Sequence, residues 1–239
     1  MKQVCEAHWL GLVEYEKAWK LQDAWAAEIA KGDRPPTLLL LEHPHTYTFG
    51  RRGNAANLLW DEQELARRGI TVHWVDRGGD VTYHGPGQLV GYPLLPLVPG
   101  GLMAKAPDGS HHIPQADFIG YLRKLEEMLI RVLAKFELPA HRIEGLTGVW
   151  VKPSPKQPPE KIAAIGVKVD VRGISRHGFA LNVNPDMSYW NGIIGCGLKD
   201  SSVTSMAELI DPAPDIDKVR EIVLQEFEEV FEYSLETPK

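Results

Sequence analysis

Cys196 is the residue best placed by its neighbours to do covalent chemistry, in the run Gly-Ile-Ile-Gly-Cys-Gly at 192–197. A free cysteine often serves as a small buried hydrophobe, but a cysteine flanked by glycines has few side chains to pack against and an adaptable backbone, which favours a nucleophilic thiol. An unperturbed thiol has a pKa of about 8.5 and needs a nearby cation or base to ionise at neutral pH. Lys161, Lys168, His84, His177 and Lys199 are available. Lys161 suits the role best because it opens a strand-like run of alanine and glycine, Lys-Ile-Ala-Ala-Ile-Gly at 161–166, instead of sitting in a polar run. With an ordinary pKa of about 10.4, a lysine is neutral in only about one molecule in 2,500 at pH 7, so it is a poor resting base. As an ammonium it stabilises the thiolate. The competing reading is a lysine that merely blunts an edge strand.

Residues 77–88 read Arg-Gly-Gly-Asp-Val-Thr-Tyr-His-Gly-Pro-Gly-Gln. The glycines admit close backbone approach and Val81, Thr82 and Tyr83 are strand formers, so a turn, a short strand and a second turn are expected, with Arg77 and His84 as polar handles. Such runs also make plain hairpins. No Gly-Lys-Ser/Thr follows and the Gly-x-Gly-x-x-Gly order is absent, so no nucleotide is implied. His43 and His45 lack a third ligand nearby and are read as loop histidines with no metal. Together these residues point to a thiol-dependent acyl or group transferase, or a thiol hydrolase.

The elements that must position them read in order. A strand at 4–10 precedes an amphipathic helix carrying Tyr15, Trp19, Gln22, Trp25, Ala26 and Ile29 and ending near Gly32, with Trp9, Trp19 and Trp25 read as core. The apolar run 37–42 is a strand buried on both faces. Arg51 and Arg52 mark a turn facing a ligand, 61–68 is a short helix and 72–76 a strand. Residues 88–97 are strand-like, with Pro93 and Pro96 making their end an edge. Residues 100–112, with His111 and His112, form a surface loop. Phe118, Leu122, Leu125, Leu129, Val132 and Phe136 define a helix whose polar face bears Lys124, Glu126, Glu127 and Arg131. Residues 148–151 begin a strand pair broken by the proline-rich loop 153–160; 161–171 and 174–184 form a hairpin. A short helix at 205–209 and an amphipathic C-terminal helix follow. The fold class is α+β, a mixed, largely antiparallel sheet flanked by helices, in one catalytic domain spanning 1–239.

Composition narrows the partners. The 239 residues are 44% hydrophobic with a net charge of −6, enough for a large core and unsuited to non-specific nucleic-acid binding. Cys5 and Cys196 are the only cysteines, so no disulfide framework exists and a reducing, cytoplasmic setting is expected. Glu6 and His8 interrupt what would be a signal core, and no run is long enough to span a membrane. Arg51, Arg52, Arg172 and Arg176 are cations that could draw an acidic protein.

Four ordered motifs, residues 77–88, 161–166, His-Gly-Phe-Ala-Leu-Asn at 177–182 and Cys-Gly at 196–197, resemble those of the lipoyl(octanoyl) transferases. The likeness runs from Glu42-His43-Pro44 to Thr204-Ser205. It implies the fold of the biotin and lipoate protein ligases and transfer of an octanoyl group from octanoyl-acyl carrier protein to a lysine of the lipoyl domains of 2-oxoacid dehydrogenases or the glycine-cleavage H protein. No ATP or other cofactor is implied. Cys196 is then the acyl-thioester nucleophile and Lys161 the residue that lowers its pKa. Arg77, Gly78, Gly79, Asp80, Val81, Thr82, Tyr83 and His84, with Ala164, Ile165, Gly166, Gly178, Phe179 and Ala180, line the substrate site. The loops 100–112 and 153–160 depart from the family pattern, which leaves partner contacts there open. The alternatives are an ATP-dependent lipoate or biotin ligase, of which Arg51-Arg52-Gly53-Asn54 is a faint echo, and a thiol acyl hydrolase.

Overall fold

The computed structural model describes residues 2–98, 117–154, 156–195 and 202–238. The expected loop at 100–112 and residues 196–201, Cys196 and Lys199 among them, lie outside the described residues. Among those described, β2 (Thr37–Glu42) organises the rest. Its alternate residues are all apolar because both faces are covered: Leu38 and Leu40 enter one core cluster, Leu39 and Leu41 another. On the first face lie α3 (Phe118–Ala134) and α5 (Ile216–Phe231), on the second α1 (Tyr15–Lys31). Gly32 closes α1 in the left-handed region, φ 82°, its N–H reaching back to Glu28 and Ile29.

The main sheet has the order β11-β1-β2-β6-β10-β9-β8-β7. Its members besides β2 are β1 (Gln3–Leu12), β6 (Gln88–Leu94), β7 (Ala140–Ile143), β8 (Leu146–Val151), β9 (Glu160–Val169), β10 (Ser175–Asn182) and β11 (Tyr233–Glu236). β1 is parallel to β2 and β11; the remaining neighbours are antiparallel. A smaller sheet, β4-β3-β5, joins β3 (Thr46–Phe49), β4 (Thr71–Trp74) and β5 (Val81–His84). Tyr47, Phe49, Val81 and Tyr83 pack on its far side with Leu65 of α2 (Glu62–Arg67) and Ile193. The short α4 (Met206–Leu209) starts at a Ser205–Glu208 capping box.

Several expectations change. Pro93 lies in the interior strand β6, opposite Leu38 of β2. It is tolerated because β10 leaves β6 after the Phe179–Gly91 pair: His177 takes φ 56° and gives its N–H to Gln22. The core side of α1 is Tyr15, Ala18, Gln22, Ala26 and Ile29; Trp25 packs against the same cluster from its margin, under Arg34, whereas Trp9 is exposed beneath Arg220. Glu126 belongs to the interior, not to a solvated face: Arg123, Arg142 and the Gly148 N–H all donate to its carboxylate.

Candidate functional site

The site is built where β9 outruns β8. β8 pairs with β9 at Val149–Ala163 and Trp150–Lys161, so β9 carries one extra residue there, a bulge. Ile162 and Ala163 consequently enter the same core cluster, and the alternation resets. Lys161, which simple alternation sets opposite Ala164, therefore joins Ala164 and Ala180 in lining a cleft. β9 is interior, flanked by β10 and β8, so Lys161 does not blunt a free edge. Its side chain is buried, with Nζ 4.8 Å from the centre of the Trp150 ring. Gly148 makes room, since a Cβ there would lie 3.3 Å from Lys161 Cε. Lys161 also holds the chain that follows Cys196: its N–H donates to Ser202 O and its carbonyl accepts from Thr204 N–H, each at 3.0 Å. Upstream of Cys196, Ile194 N–H donates to Asn57 O at 2.9 Å.

The cleft runs between two walls and leaves about 50 Å³ of open space. One wall is Arg77, Gly78, Gly79, Asp80, Val81, Thr82 and His84; the other is Lys161, Ala164, Ile165, Gly166, Gly178, Phe179 and Ala180. Tyr83 is not in the lining: alternation along β5 turns it to the far side, where its hydroxyl meets His45 Nδ1 at 2.9 Å. The cleft opens into a wider space of about 540 Å³, which adds Arg52, Leu122, Gly145, Leu146, Thr147 and Val167. Of these added residues, only Arg52 was signalled by the sequence. The β7–β8 turn and Leu122 come to the site through the fold, and no local pattern marks them.

Most polar groups of the first wall are already committed. Arg77 donates to Thr48 O, to Thr48 Oγ1 at 2.8 Å and to Gly78 O at 2.9 Å, fastening the turn to β3. Asp80 Oδ1 accepts from Asn54 N–H and Val81 N–H, and Oδ2 from Asn57 Nδ2. Gly78 N–H donates to Val167 O at 3.0 Å. His84 lies in a buried chain whose directions are fixed at both ends. Asn182 Nδ2 donates to Thr204 O, Gln88 Nε2 to Asn182 Oδ1, and His84 Nδ1–H to Gln88 Oε1 at 2.8 Å. That leaves His84 Nε2 to accept from Thr48 Oγ1 at 3.4 Å. Burial, reinforced by nearby His43 and Arg77, holds the His84 pKa well below the usual imidazole range, so this residue is neutral. One hydroxyl is uncommitted: Thr82 Oγ1 is buried with no hydrogen-bond partner among the described residues.

The other described candidates, His177 and Lys168, are placed elsewhere. His177 Nε2 meets Asp76 at 2.7 Å, Lys168 binds the same carboxylate, and burial lowers the His177 pKa. Arg176 is only 3% exposed between Asp23 and Asp76, and Arg172 pairs with Asp170, so neither forms an outward basic patch. His43 lies in the β2–β3 loop as expected, but it is buried between Val13 O and Tyr92 OH, and burial pushes its pKa down to about 4. Cys5 is buried too, and desolvation drives its thiol up to about 12, so it is no thiolate at neutral pH. Among the described residues, Lys161 and His84 are the candidates that line the cleft. Among the described residues no group of three or more His, Cys, Asp or Glu side chains is arranged to hold a metal, and no helix is long and apolar enough to cross a membrane.

Residues 14–228 match the family of lipoyl protein ligase A/B catalytic domains. The chain belongs to this family. It is 44% identical over 224 residues to an octanoyltransferase of Chloroflexus aurantiacus, covering 94% of this chain and 92% of that one. With an octanoyltransferase of Cytophaga hutchinsonii it shares 37% over 240 residues, 95% of this chain and 92% of the relative. A bipartite lipoate protein ligase from Thermoplasma acidophilum superimposes with a TM-score of 0.71 at 17% identity, covering all of this chain and 87% of that one. A lipoate-protein ligase A bound with ATP gives 0.66 at 16%, covering all of this chain and 89% of that one. At such identities these structures speak for the fold alone, the α+β fold of the lipoate ligases.

Proposed function

We propose that this chain is an octanoyltransferase of protein lipoylation, carrying an octanoyl group from octanoyl-acyl carrier protein to a lysine of lipoyl-domain proteins by way of an octanoyl-Cys196 thioester. The 2-oxoacid dehydrogenases and the glycine-cleavage H protein are the acceptor class, and residues 1–239 act as one catalytic domain. The observation that carries the reading is the convergence of Lys161, the glycine-bearing β9–β10 strands and the 77–84 segment on one cleft. Relatives of 37–44% identity that bear the name octanoyltransferase support the acyl group and the reaction class.

The residues divide the work. Lys161, as an ammonium, lowers the thiol pKa of Cys196, and the thiolate attacks the thioester carbonyl. The carbon–sulfur bond forms while the carbonyl π pair moves onto oxygen. Collapse of the tetrahedral species expels the carrier thiolate, which takes up a proton from Lys161. The acceptor amine then attacks octanoyl-Cys196, gives up a proton to the now neutral amine of Lys161, and releases the thiolate. A thioester becomes an amide, a downhill change that needs no ATP. The apolar wall of Ala164, Ile165, Phe179 and Ala180 takes the eight-carbon chain. The cleft itself leaves about 50 Å³, and the adjoining space of about 540 Å³ lies within the about 300–1,000 Å³ usual for small-ligand sites. Neutral His84 contributes position and shape.

The test is transfer from octanoyl-carrier protein to a lipoyl domain without ATP, read by the mass of the acceptor. Modification is expected, together with no octanoyl-adenylate when octanoate and ATP are supplied. Formation of the adenylate with acceptor modification only in the presence of ATP would make the chain a ligase. Release of free octanoate with no modified acceptor would make it a hydrolase.

A further inference from the structure

Nucleophilic attack on a thioester puts a full negative charge on the carbonyl oxygen, and some donor must meet it. Backbone amides of glycine-rich turns are the usual suppliers, yet here two amides of the 77–84 segment are occupied: Gly78 N–H bonds Val167 O at 3.0 Å, and Val81 N–H bonds Asp80 Oδ1 at 2.8 Å. The Thr48 hydroxyl accepts from Arg77 and faces His84, and His84 Nδ1–H is held by Gln88. Against that background Thr82 stands apart. It is 6% exposed, lies in the four-residue strand β5 paired residue for residue with β3, lines the same cleft as Lys161, and its hydroxyl is buried with no partner among the described residues.

A buried hydroxyl without a partner loses its hydration and gains nothing in return, so it costs stability in the resting protein. A strand paired along its whole length also holds it still, as a preorganised donor requires. We infer that Thr82 is a catalytic residue of the acyl-transfer reaction: its O–H donates to the carbonyl oxygen of the octanoyl thioester as that oxygen takes up charge, both when Cys196 attacks the donor and when the acceptor amine attacks octanoyl-Cys196. No proton leaves Thr82. The hydrogen bond strengthens as the carbonyl π pair moves onto oxygen and relaxes when the tetrahedral species collapses. This inference rests on the Cys196 thioester reading above.

Thr82→Val tests it, because valine keeps the shape and removes the donor. Single-turnover loading from octanoyl-carrier protein, followed by intact mass, is expected to slow about 100-fold or more, the usual effect of losing one such donor. The donor concentration at half-maximal rate should change little. The melting temperature should equal or exceed that of the parent, since an unpaired hydroxyl has been replaced by methyl. Thr82→Ser should recover most of the lost rate. A purely structural threonine would not separate rate from stability in this way. Loading by Thr82→Val at the parental rate would overturn the inference, as would a loss of rate accompanied by a lower melting temperature and not relieved by serine. An octanoyl adduct on Cys196→Ser would instead remove the nucleophile reading and this inference with it, whereas an adduct confined to Cys196 but indifferent to Thr82 would remove the inference alone.

Discussion

The two walls that meet in the cleft are built on opposite principles. The floor of the main sheet is apolar on both faces, Leu38 to Leu41 of β2 alternating between two clusters with Leu89 and Val90 of β6 alongside. The small sheet and its turn bury Thr48, Arg77, Thr82 and His84, which are polar, and His84 reaches across to Gln88 of β6. Burial of carbon stabilises the floor in proportion to area, largely indifferent to pH and to exact geometry. Apart from the Thr82 hydroxyl, the side-chain donors of the polar wall find acceptors, so its geometry is over-determined and its groups are kept neutral or paired. Lys161 of β9 brings a charge to the cleft from the main-sheet side, opposite the polar wall, and the apolar floor supplies the rigidity behind both. Mutations in the two should separate rate from stability.

Lys161 gives the largest separation. Lys161→Met keeps most of the stem over Trp150 and removes the ammonium, so loading of octanoate from the carrier protein should fall by about 10²–10⁴-fold, with alkylation of Cys196 at pH 7 slowed in parallel. An unchanged alkylation profile would take Lys161 out of the thiol's surroundings. On the floor, Leu40→Ala should cost about 2–5 kcal/mol in urea or thermal unfolding while the rate per folded molecule stays near the parent. A large fall in that rate at full folding would erase the distinction between the walls.

Acid should weaken the polar side before the floor. Burial holds His43 near pKa 4, below the about 6.5 of an exposed imidazole, and His84 and His177 are shifted the same way. Between those values the unfolded chain binds a proton that the folded chain refuses. Stability is therefore complete above pH ~6.5 and declines as pH falls toward 4, by on the order of 3 kcal/mol for His43 alone. His43→Gln should flatten that slope, and a slope unchanged in the variant would contradict the assignment. The smallest effect expected is at the rim: Arg52→Ala should raise KM for the carrier-protein donor a few-fold at low salt, less at high salt, and leave a small octanoyl thioester nearly unaffected.

How far the sequence reveals this division follows from the range of each signal. β2 is legible because six consecutive apolar-to-acidic residues bounded by prolines and a histidine leave no other choice, and Gly32 and the Ser205–Glu208 box mark helix ends by local backbone chemistry. The motif residues of the cleft are visible as unusual glycine and polar runs. What sequence cannot carry is non-local pairing. The bulge at Ile162 that turns Lys161 toward Ala164, the parallel addition of β11 to β1, and the arrival of Leu122 and residues 145–147 all depend on partners distant in the chain. Charge is misread for the same reason: Arg176 and Glu126 read as solvated groups until their burial and their distant partners are known. Tyr83 sits within the motif, yet alternation sends it to the far side of the sheet.

The thiol is the centre of the account, and intact-mass measurement after mixing with octanoyl-acyl carrier protein addresses it directly in the parent, Cys5→Ser and Cys196→Ser. An octanoyl adduct on the parent and on Cys5→Ser, absent from Cys196→Ser, is the predicted result. An adduct that persists on Cys196→Ser, or that disappears with Cys5→Ser, would contradict it.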